Sequence, residues 1–229
     1  MRVITWNLFH GRAVPERPEY LYDEFLAALG RWNWDVLMLQ ECPPWWPRKF
    51  ARALSADYRS VHTSRNLGLP VRRALATWRP DIIKANGGGC NAILVRDRRI
   101  VADRAKRIRY IPERRLVHGV GLADGTWICN LHLQGSRSHI RAPNYIVETV
   151  KAGVYGRRWA GEDAPIVLGG DFNVSAPPLI GYEQVPGHRG VDQLFVRNLG
   201  FSGKAKALDR GSLSDHRPVC AEIVPLSLD

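Results

Sequence analysis

Two short apolar runs that end against polar tracts constrain this chain more than any other feature. Pro165-Ile166-Val167-Leu168 leads into Gly169-Gly170-Asp171-Phe172-Asn173, and Ser214-Asp215-His216-Arg217 leads into Pro218-Val219-Cys220-Ala221-Glu222-Ile223-Val224. Short runs rich in β-branched residues and bounded by glycine and proline are the pattern of buried strands. Acid, amide and imidazole groups therefore stand at strand ends, where a rigid sheet fixes their geometry. Carboxylates and an amide carbonyl suit Mg²⁺, and a histidine beside them suits general acid–base work near neutral pH. The combination points to metal-assisted attack of water on a phosphate ester.

Composition narrows the setting. A chain of 229 residues, 45% of them hydrophobic, can bury a sizeable core as one layered domain over residues 1–229. Its 33 basic against 22 acidic residues leave a net charge of +11, which favours polyanionic partners such as nucleic acid or anionic lipid headgroups. Cys42, Cys90, Cys129 and Cys220 show no Cys-x-x-Cys spacing, which argues against a zinc ribbon or redox pair. Cys129 and Cys220 lie inside apolar runs and read as buried thiols. No apolar run approaches about 18 residues. Arg2-Val3-Ile4-Thr5-Trp6-Asn7 reads as a strand rather than a signal peptide, so a cytoplasmic monomer is expected.

Strands are expected at Val3–Trp6, Asp35–Gln40, Tyr58–His62, Arg73–Trp78, Asn91–Val95, Leu116–Leu122, Thr126–Leu133, Ile166–Leu168, Asp192–Val196 and Val219–Val224. Apolar residues at helical spacing predict helices over Tyr20–Trp32 (Leu21, Phe25, Leu26, Leu29), around Trp46, Phe50 and Leu54, and from about Ser138 to Val154. The last would carry Ile140, Val147, Val150 and Val154 on its apolar side, with Pro143 in its first turn, where proline is tolerated. Many strands, few helices and no strict βαβ rhythm argue for a pair of mixed or mostly antiparallel sheets flanked by helices.

Asn7 ends the first strand, and Glu41 follows the apolar Val36-Leu37-Met38-Leu39. Each is a cap or turn residue if taken alone, but an oxygen ligand emerging from a buried strand is also what a hard cation requires. His132 alternates with apolar neighbours in Asn130-Leu131-His132-Leu133; it is a core histidine unless it faces the same pocket as Asp171 and His216. Asp192, at the start of an apolar strand, either caps a turn or orients a histidine ring. His10, His62, His118, His139 and His188 have no acidic partner at informative spacing and read as structural or exposed.

Taken in order, Trp6-Asn7, Leu39-Gln40-Glu41, Asn130-Leu131-His132-Leu133, Gly170-Asp171-Phe172-Asn173, Val191-Asp192 and Ser214-Asp215-His216-Arg217-Pro218 resemble the endonuclease/exonuclease/phosphatase family, the DNase I-like fold. The resemblance covers essentially the whole chain. It implies a four-layered α/β sandwich in which two mixed, mostly antiparallel β-sheets pack face to face and are flanked by helices. It also implies Mg²⁺, for which Mn²⁺ can substitute, with Glu41 as the principal ligand and Asn7 and Asp215 bound directly or through water. Asp171 and Asn173 would position the nucleophilic water and the phosphate. His216, oriented by Asp192, would take the water's proton or neutralise the phosphate. His132 would contact a non-bridging oxygen or protonate the leaving oxygen, and Arg115, with Arg114 as its close competitor, would contact phosphate.

Departures shape the substrate expectation. Phe9 stands where some abasic-site endonucleases carry an acid, and Asn130-Leu131-His132-Leu133-Gln134 replaces their Asn-x-Tyr-x-Pro-like tract, so repair of that type is disfavoured. Gln193 replaces an aromatic residue or histidine common in the family. The segment Arg96–Arg115, with Arg98, Arg99, Lys106 and Arg107, reads either as a solvated strand face or loop or as a phosphate-backbone track. Trp6, Trp34 and Trp127, among eight tryptophans, are expected in or near the core. Trp45-Trp46 could pack there too, or stack bases. Gly87-Gly88-Gly89 lacks the Gly-Lys-Ser/Thr of a phosphate loop and reads as a turn. The leading expectation is a nuclease acting on DNA rather than RNA. A phosphoesterase for lipid headgroups or small phosphates is the alternative, and a silent nucleic-acid-binding module is a third reading.

Overall fold

The computed structural model describes residues 1–63, 67–78, 89–111, 114–134 and 144–226. One six-stranded sheet is built from β1 (Arg2–Asn7), β2 (Val36–Cys42), β3 (Asp57–His62), β4 (Cys90–Val95), β11 (Gly200–Ala207) and β12 (Val219–Val224), in the order β11-β12-β1-β2-β4-β3. A second holds β5 (Ile100–Arg109), β6 (Arg115–Leu122), β7 (Trp127–His132), β8 (Ile166–Asp171), β9 (Glu183–Gln184) and β10 (Asp192–Arg197), in the order β5-β6-β7-β8-β10-β9. In each sheet one central pair is parallel, β1 with β2 and β7 with β8, and the other pairs are antiparallel. The expected pair of mixed sheets is borne out.

Strand alternation explains the layering. Ile4, Trp6, Leu37 and Leu39 point outward into a core with Phe25 and Leu29 of α1 (Tyr22–Arg31) and Phe50 of α2 (Pro47–Ala53). Val3, Val36, Met38, Ile128, Val167 and Leu194 point inward and form the core between the sheets. Cys129, Leu131, Leu168 and Phe195 face outward on the other side, against Ala152 of α4 (Asn144–Ala160). Three cores separate four layers. Gly169 lets the sheets approach, because a Cβ there would lie 2.6 Å from Leu194 Cδ2 and 2.8 Å from Met38 Cε.

Three expectations need correction. Arg73–Trp78 is not a strand but the second half of α3 (Leu69–Trp78); Pro70 fits a first helical turn, and Ala74, Leu75 and Ala76 are good helix formers. Secondly, α4 turns its valines outward: Val147, Val150 and Val154 are exposed while Glu148, Thr149 and Ala152 are buried. Glu148 is drawn inward by Arg109 (2.8 Å) and the Gln134 amide (2.9 Å), and a Cβ at Gly153 would lie only 2.9 Å from Leu179 Cδ1. The predicted start of that helix, with Ser138, Ile140 and Pro143, lies outside the described residues, as do His139, Gly87 and Gly88. Thirdly, Cys220 is only half-buried, whereas Cys129 is fully buried as expected.

Candidate active site

The alternation that builds the inter-sheet core also delivers the polar residues. On β1 the inward positions run Val3, Thr5, Asn7; on β2 they run Val36, Met38, Gln40; on β7, Ile128, Asn130, His132. Apolar residues thus fill the middle of the sandwich, and polar ones take its end. There Gln40 Nε2 lies 2.7 Å from Asn130 Oδ1 and 3.0 Å from Thr5 Oγ1, while Asn130 Nδ2 donates to the carbonyls of Leu39 (2.9 Å) and Ala92 (3.0 Å). The two sheets are bolted by amides one residue before Glu41 and two before His132.

Backbone irregularities aim the next residues. Glu41, Asn173 and Ser214 have φ of 47°, 56° and 61°, a left-handed conformation that is strained for non-glycine residues and clusters at functional sites. Pairing between β2 and β4 shifts register between Leu39 and Cys42, so a bulge turns Glu41 out of the ladder. Gly170, at φ 140°, lets β8 reach Asp171, since a Cβ there would lie 2.0 Å from the Leu131 carbonyl oxygen.

The side chains converge on Asp171. Asn7 Nδ2 donates to its Oδ2 (3.0 Å), the Asn173 backbone amide donates to its Oδ1 (2.8 Å), and His132 Nε2 and His216 Nε2 lie 3.4 and 3.8 Å from Oδ2. His216 Nδ1 meets Asp192 Oδ2 at 2.7 Å. The tract holding His216 is itself fixed: Ser214 Oγ donates to the Asn7 carbonyl (2.6 Å) and accepts from the His216 amide (3.0 Å), and Trp6 Nε1 donates to the His216 carbonyl (3.1 Å). Glu41 is half-buried, with Oε1 3.7 Å from His132 Nε2 and Oε2 3.1 Å from His10 Nε2. Asn173 Nδ2 is tied to the Leu133 carbonyl at 2.8 Å. Asp215 is exposed, 3.8 Å from His216 Nε2.

Burial and charge set the protonation states. Burial pushes the Asp171 carboxyl up to about 7, helped by Asp192 and opposed by His216, the Asn7 amide and the Asn173 amide. Burial alone would lower the His216 imidazole, but the hydrogen bond and charge of Asp192, with Asp171 and Asp215, raise it to about 9. His132 is held well below the usual histidine range by burial, then by Arg115, His216 and His10. Asp171, Asp192 and His216 offer ligand atoms within 4.8 Å of one another and could hold a cation. Hard oxygen donors suit Mg²⁺, and imidazole nitrogen admits Mn²⁺.

A model of the Endonuclease/Exonuclease/phosphatase family matches residues 4–216. The chain belongs to that family. Solved structures agree in fold. It is similar to an endonuclease/exonuclease/phosphatase family protein from Bacteroides thetaiotaomicron at 15% identity, covering 98% of this chain and 97% of that one with a TM-score of 0.67. Truncated TDP2 from Caenorhabditis elegans matches at 15% identity over 97% of each chain, with a TM-score of 0.65. A Bacteroides thetaiotaomicron mannosyl-6-phosphatase matches at 16% identity over 98% of this chain and 99% of that one, with a TM-score of 0.61. No curated protein gives a significant sequence match. Endonuclease/exonuclease/phosphatase members are phosphoester hydrolases, and no helix among the described residues is long and apolar enough to cross a membrane.

Within this family frame, the structure gathers Asn7, Glu41, His132, Asp171, Asn173, Asp192, Asp215 and His216 at one end of the sandwich, and Arg115 is buried near enough to act on His132. The other cations are not among these contacts. Arg98 and Arg99 precede β5, and Lys106 and Arg107 lie on it, two strands from β7 at the sheet edge. Arg98 pairs with Asp124, Lys106 lies over the Tyr155 ring and Arg107 over Tyr110; Arg114 is half-buried just before β6. Gln193 is buried, and its Nε2 binds the Ser175 carbonyl (2.9 Å), bracing the chain beyond Asn173. Sequence reasoning missed His10, which a tight turn with φ of 48° at Phe9 and 54° at His10 folds back onto Glu41. Gly11 was the available signal: a Cβ there would lie 2.4 Å from the Trp46 ring.

Proposed function

We propose that the chain is a divalent-metal-dependent phosphodiesterase, a nuclease that cleaves DNA in preference to RNA by in-line attack of water. The observation that carries this reading is the Asp192–His216 pair at 2.7 Å beside the buried Asp171, with Glu41 across the site. Glu41, Asn7 and Asp215 would hold Mg²⁺, or Mn²⁺ in its place. Two features support a cation beside them: burial and the neighbouring Asp192 charge push the Asp171 carboxyl up, and buried Asp192 Oδ1 lacks a hydrogen-bond partner. When bound, the cation supplies charge neutralisation on the phosphoryl oxygens.

The chain's own groups divide the remaining work. Asp171, poised near neutrality, accepts the proton of the attacking water, which Asn173 helps to position. His216 is charged at neutral pH, so it neutralises the phosphate rather than taking the proton. Neutral His132 contacts a non-bridging oxygen, and Arg115 faces the phosphate with a planar set of donors. One observation favours the second reading, a phosphoesterase for lipid headgroups or small phosphates: Arg98 and Arg109 spend their charge on Asp124 and Glu148, which leaves less for a polymer backbone. The four thiols are free, in keeping with a cytoplasmic setting. The deciding experiment incubates the chain with plasmid, linear duplex, single-stranded DNA, RNA, phosphoinositide vesicles and sugar phosphates, each with Mg²⁺ and with EDTA. Cleavage of DNA that EDTA abolishes is expected. Full activity in a metal-free sample would sink the mechanism, and hydrolysis of lipid or sugar phosphate alone would sink the nuclease reading.

A further inference from the structure

A cleft of about 660 Å³ opens between Trp45 and α3, lined by Leu69, Pro70, Arg73, Thr77 and Trp78. Ligand clefts commonly have volumes of roughly 300–1,000 Å³. Its lining joins two tryptophans and the apolar Leu69, Pro70 and Ala74 with a guanidinium and a hydroxyl. Trp45 is steadied by donating from Nε1 to the Tyr20 hydroxyl (3.2 Å). Trp78 is 73% exposed, a large apolar cost to leave in water if nothing covers it.

The position of the cleft follows from its Trp45 wall. On one side, only Cys42-Pro43-Pro44 separates Glu41 from Trp45, and a turn closed by Trp46 N donating to the Pro43 carbonyl (2.9 Å) keeps that link short. On the other, α3 belongs to the stretch between Thr63 and Gly89. The Thr63 amide and hydroxyl both donate to the Gly89 carbonyl, at 3.0 and 2.9 Å. Gly89 in turn abuts the site: a Cβ built there would lie 3.5 Å from His10 Cε1 and 3.7 Å from Glu41 Cα. The Trp45 wall is therefore rooted at Glu41, and α3 faces it across the cleft.

We propose that this cleft is a nucleobase-stacking subsite, which receives the base flanking the scissile phosphate of a single-stranded or locally opened nucleic acid. The inference rests on the nuclease reading and deepens it. A base presents a flat π-face to Trp45 and Trp78 and polar edges to Arg73 and Thr77, and a cationic wall suits a ligand that arrives on an anionic backbone. Thr77 Oγ1 already donates to the Arg73 carbonyl at 2.8 Å, so the Arg73 guanidinium is the group that an aliphatic chain would leave unused. Two tryptophan walls and no fixed hydrogen-bonding pattern predict stacking that tolerates any base.

The test measures binding of an oligothymidylate and of an abasic strand of equal length and charge by fluorescence anisotropy, using the Glu41→Gln chain in EDTA so that neither is cut. The base-bearing strand is expected to bind about 5- to 140-fold tighter, the range set by stacking one base on an aromatic ring. Trp78→Ala should bring that ratio close to one, while Trp78→Phe keeps most of it. Equal affinity for the two strands overturns the proposal, as does a preference that both Trp78→Ala and Trp45→Ala leave intact. Loss of phosphatidylserine-vesicle binding in Trp78→Ala, without any base preference, assigns the cleft to a lipid surface instead. Parallel digestion by the unmutated chain with Mg²⁺ separates the two claims: strands that are cut without base preference sink the cleft alone. Strands bound with base preference but never cut sink the nuclease reading alone.

Discussion

Gln40 and Asn130 meet at 2.7 Å across the gap between the sheets, and both are fully buried. Removing Gln40 leaves buried Asn130 Oδ1 without its donor, and removing Asn130 takes the donor from the Leu39 and Ala92 carbonyls, at about 1–3 kcal/mol for a buried group left unsatisfied. Asn130→Leu and Gln40→Leu should each lower stability in urea unfolding by roughly that amount, and the double variant should cost less than the sum of the two. Strict additivity would show that the two amides do not act as a pair.

His216 owes its raised state to Asp192. In the metal-free chain its imidazole resonance should titrate near pH 9 by NMR. Asp192→Asn removes the negative partner that favours the charged form, so the midpoint must move down, toward about 6.5. His216→Ala should lower turnover by roughly 10²–10⁴-fold, the range for a lost acid–base or charge-stabilising group. An unmoved midpoint in Asp192→Asn would mean that the 2.7 Å contact does not control the ring.

A second histidine–carboxylate pair lies away from the site. His118 Nε2, fully buried, sits 3.0 Å from Asp103 Oδ1. That hydrogen bond is the largest cause lowering the Asp103 carboxyl; burial opposes it, and the charges of His118, Arg59 and Arg104 add to it. A depressed carboxyl contributes stability above its ordinary value of about 3.9, and the contribution fades as pH falls through the lower folded value. Asp103→Asn should therefore show a shallower fall in Tm between about pH 6 and pH 3 than the parent chain. Parallel falls would leave Asp103 without a role in acid stability.

The basic edge strand is testable by salt. If β5 follows a duplex backbone, log affinity should fall with log salt by about 0.9 per phosphate neutralised. Replacing Arg98, Arg99, Lys106 and Arg107 by glutamine should flatten that slope equally for all sequences. A shallow slope that the substitutions do not change would make β5 a charged edge of the kind that discourages strand pairing with other chains.

Legibility in the sequence followed burial. Val3–Trp6, Asn91–Val95, Ile166–Leu168 and Val219–Val224 are read correctly because they lie within the sheets, where one or both faces must be apolar. β9 and β11 escape notice, and β5 is read only as one alternative for Arg96–Arg115, because they are edge or short strands with solvent on most positions, so their alternation is erased. α4 is misread because an ion pair and glycine contacts, not its valines, select its buried face. In the candidate site, Asn7, Glu41, His132, Asp171 and His216 could be placed at strand ends from their neighbours alone. His10 could not, because its approach to Glu41 depends on two left-handed residues in succession rather than on spacing.

The order of strands along the chain has a consequence for timing. β5 to β10 are consecutive and can pair among themselves as they emerge, but β1 waits for β12, where Arg2 lies opposite Glu222. Asp215 and His216 stand just before that last strand, and Ser214 anchors them to the Asn7 carbonyl at the other end of the sequence. Pairings this distant in sequence carry a high loop-closure cost and slow folding. A nascent chain therefore cannot complete the candidate site until Asp215, His216 and the strand behind them have left the ribosome.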